Sequence, residues 1–283
     1  MYSRLLLLLA TVAGIACPAG AVDITGCGQT VPEGQVGRLL SDLVCSPTDV
    51  FTFDFGVMVE PGATLDLGGH SITMNHDGGN LAAIVCNDGC VVMSPAGTAD
   101  ITGLGPRFSF TAGVQMGRRS RVSEVHVRGF SYGIATGADG SRIFLTNVTA
   151  TDNEGFGIGI ADHLVARNVN ASHNGGGIGI DRSIVGADIT ANDNTYLGID
   201  AGSRIRARNV TITGNGECGI DASAGKNGRT GSISLLDSNV TGNGTADLIS
   251  GHRPLLRSTA CGASEHRDAD GVSFGTWGVC SLD

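Results

Sequence analysis

Three features of the sequence predict an all-β fold, a parallel β-helix. The first is a column of dipeptides, Gly133-Ile134, Gly157-Ile158, Gly177-Ile178, Gly198-Ile199 and Gly219-Ile220, with Ile-to-Ile steps of 24, 20, 21 and 21 residues. The second is a pair of aliphatic columns kept in step with it: Val122, Ile143, Leu164, Ile184, Ile205, and Val148, Val169, Ile189, Val210. Columns that hold phase over several turns mark a solenoid, because each coil can bury its apolar residues only by stacking on its neighbours. The third is what lies between the columns. The runs are short, β-branched and broken by Gly, Asn and Asp, and Ile205 and Ala207 alternate with Arg204, Arg206 and Arg208 at the period of a half-buried strand. A leucine-rich repeat of similar period needs dense leucine and a helical return.

A polar column runs alongside, Asn153, Asn174, Asn194 and Asn215. Asn tolerates left-handed backbone, and stacked amides can bond from coil to coil. These residues are therefore expected at the turns.

Residues 1–21 read as a secretory signal peptide, with Arg4, an apolar run from Leu5 to Ile15 and a small-x-small end at Ala19-Gly20-Ala21. Cys17 leaves a lipoprotein reading open, although Gly14 stands where a large aliphatic residue is usual. That apolar run is too short to span a bilayer as a helix, and no later stretch is longer. A secreted or periplasmic monomer is expected. Residues 22–56 lack the repeat and are expected to form an N-terminal cap, with a short helix over Gly37 to Leu43. The solenoid is assigned to 57–247 and a C-terminal cap to 248–283. Two longer excursions are expected, over Ser94 to Phe110 and over Ala224 to Gly228, the first as a wall of the binding site.

The run Ala63-Thr64-Leu65-Asp66-Leu67-Gly68-Gly69-His70-Ser71-Ile72, followed by the Gly-Ile units, resembles the opening coils of right-handed parallel β-helix repeat proteins, the pectate-lyase-like group. The resemblance covers roughly residues 55–250 and implies right-handed winding. It implies little about activity, because this architecture carries lyases, hydrolases, epimerases and non-catalytic adhesins. Known catalytic sets do not transfer. In the run Asn194 to Asp200, Tyr196 stands where polygalacturonases have Asp after Asn-Thr, and their paired Asp and Gly-His-Gly are missing. The Asp-Pro-His of mannuronan epimerases is also absent, Asp162-His163 being a poor substitute.

Seven cysteines follow the leader, and export makes disulfides the default. Proximity suggests Cys27 with Cys45, Cys86 with Cys90 and Cys261 with Cys280. Cys218, two residues before Ile220, is left over and is expected to point into the core as an apolar filler. A net charge of −9 argues against nucleic acid as a partner. A glycan or polysaccharide is the partner expected instead.

With Ile as position zero, strict alternation puts positions −3, −1, +1 and +3 outside. The Gly at −1 would then floor a smooth groove, edged by Asp200 and Asp221 at +1, Asp181 at +3, and Tyr196 and Glu217 at −3. Asp200 and Asp221 on neighbouring rungs could act as nucleophile and acid of a retaining glycosidase. With Asp181 they could instead hold Ca²⁺, in which case Tyr196 is the candidate base of a polysaccharide lyase or epimerase. An Asp that merely opens a turn remains an alternative. A basic flank of Arg142, His163, Arg204 and Arg206 could bind uronate carboxylates. Two functions follow: a secreted carbohydrate-active protein working along the groove, or a non-catalytic glycan-binding or structural β-solenoid at the cell surface.

Overall fold

The computed structural model describes residues 21–46, 54–75, 80–105, 110–137, 142–223, 230–268 and 270–283. The proposed signal peptide and the Ala224 to Gly228 excursion thus lie outside the described residues, Ala21 excepted. The described residues form a parallel β-helix with no helix among them, so none is long and apolar enough to cross a membrane. A wide sheet of 16 strands and a narrow sheet of 11 run the length of the stack, and every pairing within them is parallel. Successive strands of one sheet are joined through the other, a crossover that is right-handed in about 98% of parallel units.

Each coil is built the same way. In the wide sheet a long strand such as Arg142–Thr151 runs outer-inner-outer, then bends at a residue with positive φ. That column is Glu124, Asn147, Asn168, Asp188 and Asn209, with φ between 51° and 59°. Side chains tolerant of this conformation explain why Asn precedes Val at 147 and 209. They bond along the stack, Asn168 donating to Asn147 at 2.9 Å and Asn209 to Asp188 at 2.6 Å. After a second left-handed residue, Asp152, His173 or Asp193, comes the Asn of the turn column, and the Gly-Ile strand of the narrow sheet follows.

The columns become physical neighbours. Ile134, Ile158, Ile178, Ile199, Ile220 and Leu248 pair in register and are fully buried. Ile143, Leu164, Ile184 and Ile205 do the same in the wide sheet, as do Val148, Val169, Ile189 and Val210. Each such side chain contributes about 1.5–3 kcal/mol by burial. Val122 departs from its predicted column, pairing with Leu145 rather than Ile143, because the coil from one strand to the next is two residues longer there.

The turn column forms a buried amide ladder. Asn153, Asn174, Asn194 and Asn215 each donate to the next, and Asn215 donates to Asn243, at distances between 2.8 and 3.4 Å. The ladder ends at Asp247, whose Oδ1 takes Asn243 at 2.8 Å and whose Oδ2 takes the backbone N–H groups of Gly262 and Ala263.

The ends differ from expectation. No helix forms over Gly37 to Leu43; Val36–Leu39 and Leu43–Cys45 are strands, paired in parallel with the next coil. Coils therefore begin at Val22, not at residue 57, and the β-branched and alternating Val36-Gly-Arg-Leu39 buries Gly37 and Leu39 as a strand does. At the other end Ala246–Ser250 and Ser264–His266 still pair in parallel, so stacking continues past residue 248. Only the tail beyond them folds back, with an antiparallel bridge from Arg267 to Ser273. The three expected disulfides are present, and Cys218 is free.

Candidate functional site

The glycines of the Gly-Ile pairs do not floor a groove; they face inward. A Cβ at Gly219 would lie 2.7 Å from Asn243 Nδ2 and from Val240 Cγ1, and one at Gly198 would lie 2.5 Å from Ile212 Cγ2. Both Gly and Ile point inside because the chain is still rounding the corner occupied by the Asn ladder, so alternation starts only at Ile. The outer face consists of positions −2, +1 and +3.

That face carries a pocket of about 330 Å³. At one end Phe110 and Tyr132 lie with ring centroids 5.3 Å apart. Next to them the Phe156 ring lies over two glycines: a Cβ at Gly176 or Gly179 would come within 2.6 or 2.9 Å of its Cε1. At the far end are Asp181 and Asp200. Phe110, the last residue of the expected excursion, does line the site, although residues 106–109 lie outside the described residues. The aromatic wall was not foreseen. Its signal was available, since Tyr132 and Phe156 both stand two residues before the Ile of their coils.

Asp200 pairs in register with Asp221 on the following strand and with Gly179 on the preceding one. Burial, and then the charges of Asp221 and Asp181, pushes its carboxyl up to about 6. Asp221 has other partners. Its Oδ1 accepts the Ser223 N–H at 2.7 Å and the Ser223 hydroxyl at 2.6 Å, and its Oδ2 is 3.7 Å from Arg267 of the C-terminal tail. Arg267 is itself held by both oxygens of Glu265. Asp221 lies one rung beyond the pocket lining. Tyr196 and Glu217 are exposed and lie outside it too.

Cys218 is buried, but not in the core. It sits on the outer face in a small cluster with Ala246, Ile249 and Leu197, because position −2 points outward. Burial, followed by the charges of Asp221, Asp200 and Glu217, pushes its thiol up to about 12, which leaves it a poor nucleophile.

The basic flank belongs to the other sheet. Arg142, His163, Ser183 and Arg204 form one register column on the outer face of the wide sheet. Arg206 lines a groove of about 690 Å³ there with Arg208, Arg257, Val185, Leu236 and Leu255. These residues therefore do not share a groove with Asp200. Among the described residues no group of three or more His, Cys, Asp or Glu side chains is placed to hold a metal ion.

No family profile and no curated protein matches the chain. Among solved structures, the A-module of the mannuronan C-5 epimerase AlgE4 from Azotobacter vinelandii is similar, with 17% identity over 90% of this chain and 76% of that one and a TM-score of 0.49. A likeness of that degree concerns the course of the chain and says nothing of which residues act.

Proposed function

We propose that this chain is an exported carbohydrate-active protein that holds a glycan in the pocket of the narrow sheet and acts on it as a glycoside hydrolase. The observation that carries the reading is the meeting of three aromatic rings with a half-buried carboxyl in one pocket. Aromatic faces suit the C–H faces of sugar rings, and a few polar groups then fix orientation. A carboxyl that titrates near 6 is protonated often enough at near-neutral pH to donate to a glycosidic oxygen. Asp200 is assigned as the acid, and Asp181, lining the same pocket, as the second carboxylate. Two carboxylates repel a uronate, so the pocket favours a neutral sugar. The three disulfides support export.

The engagement of Asp221 by Ser223 and Arg267 favours a second reading, binding without turnover, since the neighbouring carboxylate is already committed. One experiment separates the two. Neutral and uronate polysaccharides are screened for retention in affinity gels and for new reducing ends, with wild type, Phe156→Ala and Asp200→Asn. Hydrolysis predicts reducing ends that vanish in Asp200→Asn, and retention that weakens in Phe156→Ala. Retention without reducing ends supports the second reading, while a panel on which wild type does neither overturns both.

A further inference from the structure

On the outer face of the wide sheet, around the turn from the pocket, three side chains stand in the order of a serine nucleophile site. Ser183 Oγ is 2.6 Å from His163 Nδ1, the two residues being register partners on adjacent rungs. His163 Nε2 is 3.1 Å from Asp162 Oδ1. Asp162 is 5% exposed, and its Oδ1 makes no aligned hydrogen bond despite that proximity and despite Arg182 Nε at 3.2 Å. A buried carboxylate oxygen aimed at an imidazole, with unspent acceptor capacity, is what orients and stabilises a base as it gains a proton. Such contacts are often poorly aligned before substrate binds and tighten with it.

We propose that Ser183, His163 and Asp162 form a nucleophilic site that hydrolyses short-chain acyl esters. Ser183 Oγ adds to the ester carbonyl carbon as its proton passes to His163 Nδ1. The bond to the alkoxide leaving group then breaks, and that oxygen takes the proton from His163. Water, giving a proton to the same nitrogen, displaces the acyl group as the free acid and restores Ser183. Arg204 follows Ser183 in the column, one strand spacing or about 4.8 Å on, and is exposed with no ion pair among the described residues. Its guanidinium would supply the positive charge that meets the oxyanion of the tetrahedral intermediate. Val165 and Val185, each two residues beyond His163 and Ser183 on the same face, are exposed and offer an apolar rest for a short acyl chain. None of this depends on the aromatic pocket, and small ester probes need no sugar.

The test uses p-nitrophenyl acetate and butyrate with a fluorophosphonate label on the whole protein, followed by peptide mapping. The expected result is one adduct, on Ser183, and ester turnover that falls about 10²-fold or more in Ser183→Ala and in His163→Ala. Ser232→Ala, next after Arg204 in the column, should keep both label and rate. Two results overturn the proposal: wild type that takes no label at Ser183, or a Ser183→Ala protein with unchanged melting temperature and unchanged turnover.

Discussion

Replacing Gly198 with Ala tests the orientation on which the site rests, because the two possible facings predict opposite signs. Facing inward, the new methyl meets Ile212 Cγ2 at 2.5 Å, the Gly219 carbonyl oxygen at 2.6 Å and Asn215 Nδ2 at 3.0 Å. None of these is the free end of a mobile side chain: Ile212 is fully buried, the carbonyl belongs to the next rung and the amide is locked in the ladder. Overpacking of this kind costs about 1–3 kcal/mol. Facing outward, the same change would shed unfolded-state freedom at no steric cost and stabilise by about 0.4–1 kcal/mol. Gly198 does not have a left-handed backbone, so conformational strain does not confuse the comparison. Gly159 supplies the matching outward case, its added methyl meeting nothing nearer than Tyr132 at 3.6 Å. Denaturant midpoints and thermal melts of both variants should show Gly198→Ala lowered by several degrees and Gly159→Ala level or raised. A Gly198→Ala protein as stable as wild type would refute the inward facing, and with it the assignment of positions −2 and +1 to the pocket wall.

Two further outcomes follow from named contacts. Asn194→Ala removes a donor to the Ala171 carbonyl and an acceptor of the Asn174 N–H, leaving two buried groups unpaired at about 1–3 kcal/mol each. Equilibrium unfolding should therefore show a loss of about 2–6 kcal/mol, whereas a loss well under 1 kcal/mol would mean that the ladder contributes little. Asp200 binds its proton more tightly folded than unfolded, its carboxyl being raised from 3.8 to about 6. Ionising it as pH rises through that range costs stability, so Asp200→Asn should melt above wild type at pH 8 and converge with it near pH 4. A melting difference independent of pH would argue against a half-buried, proton-retaining Asp200.

What was legible in the sequence is what the coil period controls. Residues about 21 apart touch, so the aliphatic columns, the amide ladder and the rung pairing of Asp200 with Asp221 could all be read without coordinates. What misled is the assumption that alternation runs through the Gly-Ile pair. A residue that is Gly in six successive coils, while its outer neighbours range from Gln115 to Asp221, is held to Gly by crowding, since an outward position would have drifted as they do. Taken that way, the same column would have turned Tyr132, Phe156, Leu197 and Cys218 outward and revealed the aromatic wall. The contact of His163 with Ser183 was also present in the columns, but the burial of Asp162 was not, because it depends on how the turn between the two sheets closes over the residue. Period thus fixes which residues are neighbours, while the corners fix which way they point.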